Sequence, residues 1–102
     1  MKILVTAFGP FGNMLRNPSQ TMLEAIDDAE IVKKVLPTSY TGAAEELRKA
    51  IQFVQPDFAV LTGVASGRSE VCLEFCALNI KDASCPDNDG ELASGRAEIK
   101  NM

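Results

Sequence analysis

The sequence contains no histidine. That removes the commonest general base of hydrolytic catalysis and the commonest metal ligand. Tyrosine occurs once, and there is no basic block. Fourteen acidic residues against ten Lys and Arg leave a net charge of −4. A nucleic-acid surface needs clustered cations, so nucleic acid is not an expected partner. No apolar run reaches membrane-spanning length, which argues against a membrane partner. The opening residues MKILVTAFG hold only a short apolar run that passes into Gly and Pro. They read as a first strand and not as a signal peptide, which makes the cytoplasm the default location.

Cysteine is sparse, with Cys72, Cys76 and Cys85 an odd set without a C-x-x-C pair. On one strand, Cys72 and Cys76 would lie about 13 Å apart. A disulfide needs Cα atoms within about 7 Å. The same separation spoils a shared metal site. Reduced, buried thiols are expected, with no metal and no cofactor.

What is present fits one α/β unit spanning residues 1–102. Residues 2–7, KILVTA, read as a buried strand, followed by the loop FGPFG at residues 8–12. That loop has two readings. A Gly-rich turn can cradle phosphate, but Pro10 has no N–H and the G-x-G-x-x-G spacing is absent. Phe8 and Phe11, three residues apart, suit an apolar pocket wall, or a loop packed on its own core. Asn17-Pro18 marks a helix start, with Asn17 as cap and Pro18 at the first helical position. Met22, Leu23 and Ile26 give its apolar stripe, and Asp27-Asp28 end it poorly. Residues 30–36 read as a second strand. Residues 41–55 carry apolar groups at 3.6 spacing, with Ser39 or Thr41 as cap and Pro56 as stop. Residues 57–63 are a third apolar strand.

The turn GVASGRS (residues 63–69) leads into residues 70–80, where apolar side chains fall on both faces of an expected fourth strand. Glu74 interrupts one face. Either it is a strand-edge carboxylate whose tip reaches water, or it is paired or shifted for chemical work. Arg68 could hold an anion, or pair with a nearby carboxylate. So short a link favours an antiparallel or offset neighbour. Residues 81–102 read as a loop-like tail. The order β-α-β-α-β-β implies right-handed crossovers, a mainly parallel sheet, and loops 8–17 and 63–68 converging beyond strand C-termini.

These motifs, taken in order, resemble a known family. Gly9-Pro10-Phe11-Gly12, Asn17-Pro18-Ser19, Gly67-Arg68-Ser69, L-E-x-x-A-L-N-I at residues 73–80 and P-D-N-D-G at residues 86–90 are similar to those of pyroglutamyl peptidase I (pyrrolidone-carboxylate peptidase). The resemblance implies a three-layer α/β/α, phosphorylase/hydrolase-like fold and a cysteine peptidase with a Glu-Cys-His triad. Its substrates would be peptides with an N-terminal pyroglutamyl residue, and the full-length protein would be a homo-oligomer. It makes Glu74 the triad carboxylate that orients the histidine. It places Phe8 and Phe11 around the pyrrolidone ring, Asp87 and Cys85 beside the substrate, and Ser84 at the oxyanion position, where the family has Arg. Val64 stands where the family has Gln, Ser66 where it has Gly, and Cys85 where it has Ile. The family's nucleophile and histidine lie in a second half, and none of the three cysteines here aligns with the nucleophile. The expectation is therefore an N-terminal half, truncated and inactive by itself, that exposes apolar surface and either self-associates or has modest stability. Two alternatives stand beside it: a non-catalytic α/β module that binds a ligand or partner, and a nucleotide site at residues 8–12 or 63–69.

Overall fold

The computed structural model describes residues 1–78, 80, 83 and 85–93. Among these the elements run β1 (Ile3–Phe8), α1 (Pro18–Ala25), β2 (Ile31–Leu36), α2 (Tyr40–Val54) and β3 (Phe58–Leu61). The sheet order is β2-β1-β3, and both pairings are parallel. Ile3 lies opposite Ile31 on one side and Phe58 on the other. β1 is thus hydrogen-bonded along both edges, and Leu4, Val5, Thr6 and Ala7 are all buried. Its alternate side chains serve opposite layers, as the two-residue period of a strand requires. Val5 and Ala7 cluster with Leu23 of α1. Leu4 lies with Ala50, Phe53 and Val54 of α2. The result is helix, sheet, helix.

Both helices begin where local chemistry allows. Asn17 Oδ1 accepts from the Ser19 N–H at 3.0 Å, and Pro18 occupies the first turn, where its missing N–H costs nothing. α1 ends at Ala25, so Asp27 and Asp28 fall outside it. Asp28 instead forms a turn, its Oδ1 accepting from the Glu30 N–H at 2.9 Å. Of the stripe Met22, Leu23 and Ile26, only Leu23 is fully buried. At α2, Ser39 and not Thr41 is the cap, with Oγ accepting from the Gly42 N–H at 3.0 Å. The helix closes on Gln55, whose φ of 53° is left-handed.

Three expectations require correction. Residues 70–78 form no helix or strand, and Val71, Leu73 and Phe75 are almost wholly exposed. A strand needs a neighbour for its N–H and C=O groups and a layer over each apolar face. Among the described residues this segment has neither, so the fourth strand and its antiparallel pairing are not formed. For the same reason Cys72 and Cys76 are exposed and not buried, and Cys85, beside the late turn, is exposed as well. β3 pairs with β1 along one edge, but Phe58, Val60 and Leu61 are exposed. Part of the expected tail is held: residues 86–91 form a docked turn, and Ala93 is buried.

Asn17→Ala should lower stability by about 2 kcal/mol, because it removes a cap and leaves the Gly9 carbonyl short of a donor. Urea unfolding measures this. Gln55→Gly should raise stability by about 0.5–1 kcal/mol, since glycine carries no penalty at positive φ.

Candidate functional site

An open cleft of about 400 Å³ lies beyond the C-terminal ends of β1 and β2. Three segments build it. Phe8 and Phe11 come from the exit of β1, Thr38, Ser39, Tyr40 and Ala43 from the start of α2, and Ala83, Cys85, Pro86 and Asp87 from the late turn. Its walls are mainly rings and methyl groups.

The exit loop is fixed through its backbone. The Phe8 N–H donates to Ser19 Oγ at 3.0 Å, and the Gly9 N–H donates to the Leu36 carbonyl at 3.0 Å. The Gly9 carbonyl accepts from Asn17 Nδ2 at 2.9 Å and from Thr38 Oγ1 at 3.0 Å. Pro10 O accepts from Asn88 Nδ2 at 3.0 Å. Gly12, at φ 62°, turns the chain back toward α1. The loop's first two N–H groups are thus engaged and Pro10 has none, so the backbone offers little to a phosphate. At the neighbouring strand end, a Cβ on Gly63 would lie 3.6 Å from the Phe8 ring. Gly63, at the exit of β3, therefore lies beside Phe8 at this sheet edge, while no residue of 63–68 lines the cleft.

Asp87 lines the cleft, yet its carboxylate is already committed. Oδ2 accepts from the Tyr40 N–H at 2.7 Å. Oδ1 accepts from the N–H groups of Asp89 at 2.9 Å and Glu91 at 2.8 Å. These bonds, the one from Tyr40 foremost, hold its carboxyl below the ordinary carboxylate range. Such a group closes the turn and docks it at the α2 N-terminus. It leaves the cleft's polarity low, which suits a small, flat, uncharged ligand.

Glu74 is not part of the cleft lining. It is exposed and accepts from Arg68 Nη1 at 3.0 Å. Of the two readings of Arg68, pairing with a carboxylate is the one observed, and this bond raises the guanidinium pKa. An anion site at residues 63–69 has lost its cation to Glu74. Ser84 lies outside the described residues. Phe8, Phe11, Cys85 and Asp87 share one cleft, whereas Thr38, Ser39, Tyr40 and Asn88 were not singled out from the sequence. The rule that nominated the loop after β1 also applies to the loop after β2 and would have found the first three. Asn88 stands in the P-D-N-D-G motif, but nothing in that motif says which group its side chain meets.

Comparison with known proteins agrees with this architecture. A family model described as pyroglutamyl peptidase matches residues 1–100. The chain belongs to the pyroglutamyl peptidase family. Among curated relatives, the pyrrolidone-carboxylate peptidase of Pyrococcus furiosus is 40% identical over 96 residues, which is 89% of this chain and 46% of that one. That of Thermococcus onnurineus is 39% identical over 94 residues, 88% of this chain and 47% of that one. Among solved structures, pyroglutamyl peptidase I from Bacillus amyloliquefaciens superposes with TM-score 0.93 at 33% identity, covering 99% of this chain and 50% of that one. A mutant pyrrolidone carboxyl peptidase from Pyrococcus furiosus gives TM-score 0.89 at 34% identity, covering all of this chain and 51% of that one. The chain spans about half the length of the relatives it matches. The α/β fold with a parallel sheet is that of the pyroglutamyl peptidases.

Asp87 predicts a pH dependence. Its folded carboxyl titrates lower than an unfolded one, so its contribution to stability is present above the usual aspartate value of about 3.9. The contribution is lost as pH falls through the folded value. Asp87→Asn should therefore be less stable at neutral pH and lose less stability on acidification than the wild type. Thermal melts from pH 7 down to pH 3 check this. Parallel curves would contradict it.

Proposed function

We propose that this chain forms the pocket-bearing half of a cysteine-type pyroglutamyl peptidase, which removes an N-terminal pyroglutamyl residue from peptides. The observation that carries the reading is the cleft itself: two phenylalanines and the residue 86–90 turn of a pyroglutamyl peptidase sequence meet around a space of low polarity. A pyrrolidone ring is flat, neutral and partly apolar. Phe8 and Phe11 would hold its faces, and Cys85 and Asp87 would bound one side.

In this proposal Glu74 exchanges Arg68 for an imidazole. Its carboxylate then fixes the ring's orientation and stabilises the imidazolium that forms when a thiol loses its proton. The thiolate attacks the scissile carbonyl, and the imidazolium returns its proton to the leaving amine. Thiol and imidazole would come from the part of the family fold carried by relatives beyond the matched half, because this sequence has no histidine and none of its three cysteines aligns with the family's nucleophile. Ser84, in place of arginine, would make a weaker oxyanion donor, and loss of such a donor costs about 3 kcal/mol of transition-state stabilisation. The 102-residue chain is then inactive by itself. A cytoplasmic setting and a homo-oligomeric full-length enzyme belong to the same proposal.

The test joins this chain to the unmatched half of the Pyrococcus furiosus relative and follows hydrolysis of a pyroglutamyl amide. The isolated chain should show no turnover, and the joined protein should show thiol-dependent turnover. Glu74→Gln in the joined protein should lower kcat by about 10³-fold or more, as loss of a triad acid does elsewhere. Turnover by the isolated chain, or a Glu74→Gln variant as active as its parent, would overturn the reading.

A further inference from the structure

The two phenylalanines of the cleft ride on a loop whose central carbonyls are gripped from other parts of the chain. Gly9 O has two donors, Asn17 and Thr38. Pro10 O has Asn88 Nδ2, from 78 residues further along the sequence. The backbone N–H of the same Asn88 donates to the Thr38 carbonyl at 3.0 Å. Asn88 therefore ties the Pro10 peptide, next to Phe11, to Thr38 of the cleft lining without lining the cleft itself. The side-chain chemistry is specific. A carbonyl needs a donor, and the flanking Asp87 and Asp89 carry carboxylates that only accept when ionised. Of these three adjacent residues, only Asn88 can hold Pro10 by its side chain.

We infer that Asn88 is a positioning residue for the lactam pocket: by holding the Pro10 carbonyl it sets the placement of Phe11 relative to the start of α2 and to Phe8, which β1 already fixes. This rests on the pocket reading above. Pro10 and Phe11 are adjacent, so a shift of the Pro10 peptide moves the Phe11 ring directly. Pro10 has no N–H to anchor it, so its carbonyl is the handle that remains. Because the Asn88 bond is exposed, its loss should register in the loop and the pocket and barely in global stability.

The experiment titrates 2-pyrrolidone into the isotope-labelled 102-residue chain and follows backbone amides by NMR. The wild type should show saturable shifts at Phe8, Phe11 and Ala43. Asn88→Asp, close in shape but without the donor, should bind about five- to ten-fold more weakly. Its own amide shifts should be confined to residues 8–14, 38–43 and 86–91, with a melting temperature within about 3 °C of wild type. Asn88→Gln, which keeps the amide, should recover part of the affinity. Equal binding by Asn88→Asp overturns the inference alone. So does a loss accompanied by shifts throughout β1–β3, which would mark a merely structural residue. Absence of saturable binding in the wild type overturns the pocket reading and this inference with it.

Discussion

The exit of β1 is the constraint on which the rest of the site depends. β1 pairs with β3 as far as Thr6 and with β2 as far as Phe8, and Leu23 of α1 packs on Val5 and Ala7, so the C-terminal end of β1 cannot shift without breaking the pairing with β2. The chain then leaves through Phe8, Gly9 and Pro10, each held by a hydrogen bond from a different element. Ser19 belongs to α1, Leu36 to β2, Thr38 to the approach to α2 and Asn88 to the late turn. Three stretches of sequence, around residues 19, 36–38 and 88, converge on three residues. The pocket is thereby preorganised on a rigid scaffold, although its walls are loops.

Glu74 is held differently. Glu74 lies on a segment without helix or strand, and its partner Arg68 is also exposed. Exposed ion pairs contribute little to stability and are easily exchanged. A carboxylate held this lightly is available to another cation, whereas Asp87, held by three backbone N–H groups, is not. The two carboxylates near this end of the sequence thus have opposite characters. One closes a turn, and the other waits at the surface.

Much of the fold was legible in the sequence because it is written locally. The β-branched run at residues 3–8, the Asn17-Pro18 start and the 3.6 spacing of residues 41–55 each specify an element within a few residues. The phenylalanines of the cleft were legible too, as large rings in a loop beyond a strand. Residues 70–80 misled for an instructive reason. Apolar side chains on both faces describe a strand that will be buried, but burial requires other elements to supply the cover. Pattern alone states the requirement and not whether it is met. Phe58, Val60 and Leu61 of β3 make the same point, since a paired strand can still leave both its faces in water.

By itself, the sequence determined the two helices, the Asn17 cap of the first, the three paired strands and the absence of an imidazole. All are properties of composition or of neighbours within one turn. Tertiary structure alone decided which of two readings of Arg68 holds, which carboxylate is spent on backbone N–H groups, and that Asn88 meets Pro10. Hydrogen bonds between residues 47 or 78 positions apart leave no local signature. An asparagine in a polar turn has the same appearance whether its amide faces solvent or a carbonyl, and only the path of the chain between them brings donor and acceptor together.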